Sequence, residues 1–344
     1  MAKTALIAGV SGQDGAYLSQ LLLGRGYRVF GQVRCDAAAG KARLLELGIA
    51  QDIEFVALDL LNINEMRREL DKLCPDEIYN LAGSSSVAQS FDQPMIAVEI
   101  NALAAARLLE ALRHANFACR FFQASTSEMF GNAIASPQNE STPFRPRSPY
   151  AVAKAFAHWQ TVSYRETYNF FGACGIMFNH ESPLRSRRFV TRKITAGLTE
   201  VKHGRRQRIL LGNLGIQRDW GYARDYVDGM WRILQHQKPG DFVLATGIST
   251  SVRTFAERAA ATLGMPLEWS GHGPCEVGID RKSSRTVIEV SPTLFRPAEV
   301  VATVGDARRA RSELAWRPSV DINSLIAMMV EADERRLLEN RPLD

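Results

Sequence analysis

A short apolar run, Thr4–Ala8, leads directly into Gly9-Val10-Ser11-Gly12-Gln13-Asp14-Gly15, and apolar residues at helical spacing continue over 15–23. A strand that turns through glycines into a helix leaves few folds open. The glycines permit a turn too tight for side chains. They also let a pyrophosphate approach the free N–H groups and positive dipole end at the helix start. A tight turn between packed elements would show the same spacing without any ligand. In both cases the chain begins with the first half of a strand–helix–strand unit.

The same rhythm continues. Strand-like runs at Arg28–Val33, 53–58, 77–81 and 120–124 are separated by helical patterns. Asn62 is placed to cap a helix carrying Met66 and Leu70, and a long helix is expected over 97–112. A Pro-rich loop at 136–149 leads into a helix that starts near Tyr150. Strands alternating with helices of this length predict an α/β fold, a Rossmann-type doubly wound parallel sheet covered on both faces. Beyond the apolar run 174–178 the pattern becomes irregular, punctuated by Pro183, Gly204, Gly212, Pro239, Gly271, Gly273 and Pro274. Residues 242–245 are expected to return to the main sheet, and 253–263 and 322–339 to form amphipathic helices. The expected division is a dinucleotide-binding domain over 1–178, its sheet completed by part of 215–250. A smaller, interleaved C-terminal substrate-binding lobe takes mainly 179–344. The stretch 271–285 is the expected mobile loop.

With 344 residues, 46% of them hydrophobic, the chain can bury a full-sized core. No apolar run approaches the roughly 20 residues that span a bilayer, so no membrane partner is expected. The N-terminus reads as a first strand rather than a signal peptide. Cys35, Cys74, Cys119, Cys174 and Cys275 are scattered, with no histidine at metal spacing. They suggest reduced thiols, a cytoplasmic location and no metal site. The net charge of +5 is dispersed, without a basic tract interleaved with aromatics. Nucleic acid is therefore not expected, and a small phosphorylated ligand is the better use of the charge.

Tyr150 and Lys154 stand one helical turn apart, which puts a phenol and an ammonium on one face. The ammonium favours the phenolate, giving a base that removes a proton from an alcohol while hydride leaves the same carbon. Thr126 and Glu128 lie at the end of a strand upstream. Glu128 is a second base, which simple alcohol oxidation does not need, so chemistry at two neighbouring carbons is expected. A nicotinamide cofactor follows from this pair and the glycine turn together. Arg34 at the end of the second strand favours NADP through a 2′-phosphate, while Asp36 two residues later keeps NAD open. Asp59 and Leu60, after the third strand, are placed to meet an adenine; a helix-entry loop would look the same.

Several longer stretches are more specific than the glycine turn. They are Gln123-Ala-Ser-Thr-Ser-Glu-Met-Phe-Gly131, Pro146-Arg-Ser-Pro-Tyr-Ala-Val-Ala-Lys154 and Phe178-Asn-His-Glu-Ser-Pro183. To these are added Phe189-Val-Thr-Arg-Lys-Ile194, Arg218-Asp-Trp-Gly221 and Phe295-Arg-Pro-Ala-Glu-Val300. Through them the chain resembles, from Gly9 to Trp316, the extended short-chain dehydrogenase/reductase superfamily and within it the GDP-mannose 4,6-dehydratase family. The resemblance implies an NADP-dependent hydro-lyase making a 4-keto-6-deoxy GDP-sugar, GDP-mannose being the first candidate substrate. It implies Thr126, Glu128, Tyr150 and Lys154 as catalytic. Gly9, Ser11, Gly12, Gln13, Asp14, Gly15, Arg34, Asp59, Leu60, Leu81, Ala82, Ser84, Tyr150, Lys154, His180 and Arg185 match cofactor positions. Ser85, Asn179, Val190, Lys193, Arg218, Arg296 and Glu299 fall in the nucleotide-sugar stretches. Symmetric self-association into a homodimer or homotetramer is expected of such an enzyme.

The chain departs from the family pattern in three places. Arg34-Cys35-Asp36 replaces paired arginines, Ala82-Gly83-Ser84-Ser85-Ser86 replaces Ala-Ala-Gln-Ser-His, and Arg185-Ser186-Arg187-Arg188 departs from an Arg-Gly-Glu sequence. Small residues at 83–86 would leave room for a larger sugar, so a GDP-linked manno-heptose is a second reading. A nucleotide-sugar epimerase or 4-ketoreductase is a third, against which Glu128 speaks. A non-catalytic cofactor sensor would not need Tyr150 and Lys154.

Overall fold

The computed structural model describes residues 2–33, 41–294 and 300–341. The sequence expectations at Arg34, Cys35, Asp36, Arg296 and Glu299 lie outside the described residues. The chain forms two compact units. The first comprises Met1–Phe178, Ala223–Ala245 and Gly305–Arg317, the second Asn179–Tyr222, Thr246–Val304 and Pro318–Asp344.

The first unit is built on a seven-stranded sheet. Its strands are β1 (Thr4–Ala8), β2 (Arg28–Val33), β3 (Ile53–Ala57), β4 (Glu77–Asn80), β5 (Arg120–Thr126), β6 (Gly172–Met177) and β10 (Asp241–Leu244). The order is β10-β6-β5-β4-β1-β2-β3, and the pairs along it are parallel. Strand order reverses between β1 and β4, the point where doubly wound sheets open a crevice beyond their strand ends. Leu6, Ile7, Ile78, Phe121, Phe122 and Ile176 are buried because both faces of a parallel sheet are covered.

The covering helices are α1 (Gln13–Gly24), α2 (Ala42–Glu46), α3 (Ile63–Leu73), α4 (Val87–Asp92), α5 (Pro94–Val98), α6 (Ala104–Arg113), α7 (Pro149–Tyr168), α9 (Ala223–Gln235) and α11 (Arg308–Glu313). As the sequence suggested, the Asn62 side chain caps α3 by accepting the N–H of Glu65 at 3.2 Å. The helix expected at 97–112 starts earlier, at Pro94, and contains a π-turn at Glu99–Leu103 between α5 and α6. An inserted residue of this kind is invisible to a 3.6-residue period. Helix α7 starts with Ser148, which accepts the N–H of Ala151 at 3.1 Å, and with Pro149, whose missing N–H costs nothing there.

In the second unit the helices expected at 253–263 and 322–339 are present, and the irregularity expected elsewhere is overturned. Helices α8 (Val190–Lys202), α10 (Val252–Thr262) and α12 (Ile322–Leu338) pack on one another. A three-stranded sheet joins β7 (Asn179–Glu181), β9 (Gln217–Tyr222) and β11 (Ser249–Ser251). A four-stranded one joins β8 (Ile209–Leu211), β12 (Leu267–Ser270), β13 (Val277–Asp280) and β14 (Arg285–Val290). The expected loop at 271–285 is thus mostly structured. It holds β13 and the turn into β14, with Asp280 accepting from the N–H groups of Lys282 and Ser283. Leu198, Ile209, Trp220, Phe255, Ile288 and Met329 form a common core.

Candidate functional site

In the first unit the turn after β1 is held by glycine geometry. Gly9 has φ +86°, and a Cβ there would fall 2.8 Å from the Ala82 nitrogen. A Cβ on Gly15 would fall 2.4 Å from the Gly9 carbonyl oxygen. The turn therefore packs directly on the segment after β4, which brings Gly9, Leu81 and Ala82 together. Gly12 is the N-cap of α1 and supplies no side-chain cap, so that helix start presents bare backbone. Such an end suits an anion. Gln13 Nε2 donates to Asp14 Oδ1 at 3.0 Å, and Arg43 Nη1 donates to the Ser11 carbonyl at 3.1 Å.

Other expected cofactor positions are explained in part by local structure. The carboxylate of exposed Asp59 accepts the N–H of Leu61 at 2.9 Å, closing its own turn. Half-buried Leu60 packs against the core beneath β1 and β4. Ser84 is half-buried, its carbonyl accepting from Asn101 Nδ2 at 3.4 Å, and Ser85 is exposed.

Strand β5 and helix α7 present the expected catalytic groups. Thr126 is extended, at φ −144° and ψ 147°, and caps a 3-10 turn over Ser127–Met129. Its Oγ1 accepts the N–H of Glu128 at 3.3 Å. Thr126 is therefore a strand-end cap. The hydroxyl proton is not used in that bond and stays available for donation. Glu128 is half-exposed, and among the described residues its carboxylate has neither an ion-pair nor a hydrogen-bond partner.

Tyr150, in the first turn of α7, and Lys154, one turn on, are both buried. Lys154 Nζ donates to the Ala124 carbonyl at 2.9 Å. Burial pulls this ammonium down to about 8, against a smaller opposing pull from the negative charge of Asp14. The lysine thus senses the first turn of α1, linking the glycine motif to the Tyr150–Lys154 face.

Sequence reasoning missed three residues here. Asn101, buried in the π-turn, donates to the Ala97 carbonyl at 2.9 Å while its Oδ1 has no partner among the described residues. A Cβ on Gly83 would lie 2.5 Å from that Oδ1 and 3.7 Å from Lys154 Nζ. His158, two turns after Tyr150 on α7, meets Ser125 Oγ through Nδ1 at 3.0 Å, and burial lowers its pKa. Helical spacing from Tyr150 and Lys154 could have found His158. Its ligand atoms also cluster with those of Cys174 and Asp241. However, both Asp241 oxygens accept from Arg165 at 2.9 Å, which makes this a buried hydrogen-bonded network. Third, Gln123 bonds the same carbonyl as Lys154, at 3.0 Å.

In the second unit, Asn179, His180 and Glu181 form β7, opposite Trp220, Gly221 and Tyr222 of β9. Asn179 Oδ1 is buried without a partner among the described residues, an open acceptor that folding alone does not explain. His180 is buried. The Arg185 guanidinium lies 3.5 Å from the centre of the Phe189 ring. Its Nε is 3.1 Å from Glu181 Oε2 but misaligned for a hydrogen bond. Thr191 also donates to Glu181, at 2.6 Å. Val190 opens α8 and Lys193 follows within its first turn. Lys193 is half-buried, its pKa lowered by burial and by the positive charge of Arg206. Among the described residues no carboxylate pairs with it. Arg218 Nη1 donates to the carbonyls of Gln217 and Val300, at 2.9 and 2.8 Å.

Beneath these residues Asp333 is fully buried between Arg192 and Arg336. Arg192 Nη1 also donates to the carbonyls of Pro183 and Arg185, at 2.9 and 2.8 Å, so the ion cluster holds the chain that carries Arg185. No helix among the described residues is long and apolar enough to cross a membrane.

A family model described as GDP-mannose 4,6 dehydratase matches residues 6–329 of this chain. A GDP-mannose 4,6-dehydratase of Sinorhizobium fredii is 46% identical over 338 residues, covering 96% of this chain and 96% of that protein. A GDP-mannose 4,6-dehydratase of Vibrio cholerae is 42% identical over 350 residues, covering 97% and 94%. Among solved structures, a dTDP-glucose 4,6-dehydratase from Streptomyces venezuelae with NAD and TYD bound matches with a TM-score of 0.82. The identity is 22%, over 99% of this chain and 100% of that one. UDP-glucose 4-epimerase from Thermus thermophilus, in complex with NAD, gives 0.78 at 23% identity, over 96% and 98%. At these identities the structural likeness speaks for the fold alone.

Proposed function

The chain belongs to the GDP-mannose 4,6-dehydratase family, and from that premise we propose that it converts GDP-mannose to GDP-4-keto-6-deoxymannose with loss of water. The observation that carries this reading beyond membership is the Glu128 carboxylate, unpaired among the described residues. It follows Thr126 at the end of β5, and α7, which bears Tyr150 and Lys154, packs on that turn. An epimerase or ketoreductase has no task for such a base.

A nicotinamide cofactor fits the residues present. The uncapped start of α1 suits its pyrophosphate, and Lys154 keeps N–H groups beyond the one given to Ala124. NADP rather than NAD is inferred from Arg34. When bound, such a cofactor would supply a temporary store for one hydride, taken from sugar carbon C4 and returned at C6.

Tyr150 takes the proton of the C4 hydroxyl, and Lys154 stabilises the phenolate. Thr126 keeps its own proton and donates a hydrogen bond through it to the C4 oxygen as charge on that oxygen changes. Once C4 is a ketone the C5 hydrogen is acidic. Glu128 removes that proton and returns it to the C6 hydroxyl, which leaves as water. Tyr150 then gives its proton to C5 as C6 is reduced. The C4 hydrogen ends on C6, the O4 proton on C5 and the C5 proton in the released water.

Asn179, Val190, Lys193 and Arg218 are assigned to the nucleotide-sugar, and Lys193 and Arg218 among them to its diphosphate. Supporting this are the open Asn179 Oδ1, an acceptor for a sugar or base donor, and the half-buried Lys193 cation, which no carboxylate among the described residues pairs. At Gly83 the heptose reading has a competing explanation: a Cβ there would lie 2.5 Å from Asn101 Oδ1, so the missing side chain also makes room for Asn101.

A homodimer or homotetramer is inferred from exposed apolar residues in the first unit. Val152, Phe156 and Trp159 line one face of α7, and Phe91, Met95, Ile96 and Leu103 are exposed on helical segments packed beside it. A patch of this kind calls for a partner surface, and a second copy supplies the same one. Sedimentation of wild type and Phe156→Glu checks it: the variant should be smaller. A cytoplasmic location is inferred from Cys74, Cys119, Cys174 and Cys275, all free thiols.

The functional test is turnover of GDP-mannose with added NADP. Loss of one water by mass and a new methyl doublet by NMR support the reading. A product of unchanged mass would favour an epimerase.

A further inference from the structure

Strand β4 ends at Asn80, which pairs in register with Gln123, while β5 continues to Thr126. The Ala124 carbonyl thus lies beyond the β4 ladder and is taken by side chains. Lys154 Nζ donates to it at 2.9 Å and Gln123 Nε2 at 3.0 Å. Asn80 Nδ2 donates to Gln123 Oε1 at 2.9 Å. Asn80, Gln123 and Lys154 are all buried.

Amides are out of place inside a parallel sheet, where apolar runs are the rule and each unpaired polar atom is costly. Asn80 can donate to Gln123 only through its Nδ2. Held at Oε1, the Gln123 amide must turn its N–H toward Ala124; the opposite orientation would set two oxygens against each other. With both acceptor directions of the carbonyl filled, its direction is fixed.

We propose that Gln123, oriented by Asn80, is a positioning residue for Lys154: it fixes the carbonyl on which the ammonium rests and so sets where the other N–H groups of Lys154 aim. This rests on the functional reading above, in which Lys154 serves Tyr150 and the cofactor. It also has a sign. The Gln123 N–H brings a partial positive charge to the oxygen that Lys154 uses. Without it the oxygen serves the ammonium alone, so Lys154 should hold its proton to higher pH. The ionisable groups to consider around it are Asp14 on α1, Tyr150 and His158 on its own helix face, Glu128 on the 3-10 turn and Glu99 on the π-turn.

The test compares wild type, Lys154→Met, Gln123→Met and the double variant Asn80→Leu/Gln123→Met, in turnover of GDP-mannose with NADP across pH. Replacing both amides leaves neither partner orphaned, so the double variant should fold. If it does not, Gln123→Met, which orphans only the Asn80 amide, carries the test. The expected result is a kcat lower by about tenfold, less than the 100-fold of a full ångström of misplacement. KM should be nearly unchanged and the alkaline limb should move to higher pH. A merely structural pair would leave that limb where it is. A wild-type profile in a folded variant, with Lys154→Met inactive, overturns this inference alone. Absence of wild-type turnover, or full activity in Lys154→Met, overturns the functional reading and the inference with it.

Discussion

The Thr126 hydroxyl oxygen accepts the backbone N–H of Glu128 at 3.3 Å, so one hydroxyl both ends β5 and starts the turn that carries the acid. The two groups assigned to neighbouring sugar carbons are therefore positioned by a single bond. Thr126→Ser keeps donor and cap and should stay within a few-fold of wild type. Thr126→Val loses both. Its kcat/KM should fall about 100-fold, the usual effect of deleting a donor to a developing oxyanion. Steady-state kinetics of the two variants decide it; an active valine variant would remove Thr126 from the chemistry.

Lys154 should show itself in cofactor binding. Its ammonium is held near 8 rather than the ordinary 10.5, chiefly by burial. In the ligand-free protein half the charge is gone at about that pH, and affinity for the nicotinamide should decline above it. Lys154→Met should bind weakly at every pH and show no such decline. The sign for folding is opposite. Between about 8 and 10.5 the unfolded chain holds this proton and the folded chain does not, so this group makes folding more favourable as pH rises. Fluorescence titration of NADPH from pH 6.5 to 9.5 (roughly one and a half units either side of the lysine) reads the first effect.

Lys193 is assigned to ground-state binding. Loss of a charge-assisted contact to a diphosphate costs about 1.5–3 kcal/mol, or roughly ten- to a hundredfold in affinity. Lys193→Met should therefore raise KM for the GDP-sugar by that factor with kcat little changed. A variant that lowers kcat and leaves KM alone would place the residue elsewhere.

Asp333 is the structural prediction. Two buried arginines and the Thr195 hydroxyl, at 2.7 Å, converge on it. Asp333→Ala leaves both guanidinium groups buried without their anion. The expected loss is about 3–5 kcal/mol, read as a lower denaturation midpoint with unchanged slope. A midpoint near wild type would mean that water or another acid reaches the cluster.

What could be read in the sequence was what is local. The Gly9–Gly15 turn, the Asn62 cap and the Tyr150–Lys154 spacing each depend on neighbours within a turn or two, so the first unit was legible as a parallel sheet. In the second unit only the amphipathic helices at 253–263 and 322–339 were legible. Thr191, Thr195 and Thr199 weaken the helical signal of α8, which is held by packing against α10 and α12. Strand β8 finds its partner, β14, far along the chain, and glycines beside β12 and β13 read as a loop. Gln123, Asn101 and Asp333 looked like ordinary polar residues. Their importance comes from burial beside one another, which no spacing rule encodes.

Glu128 carries the difference between moving a hydride and removing water. The most direct measurement is a single turnover of Glu128→Gln with GDP-mannose and NADP, following reduced nicotinamide and released water together. Nicotinamide should be reduced and stay reduced, with the sugar held as its 4-keto form and no water lost. Dehydration at the wild-type rate would contradict the assignment of Glu128 as the base at C5.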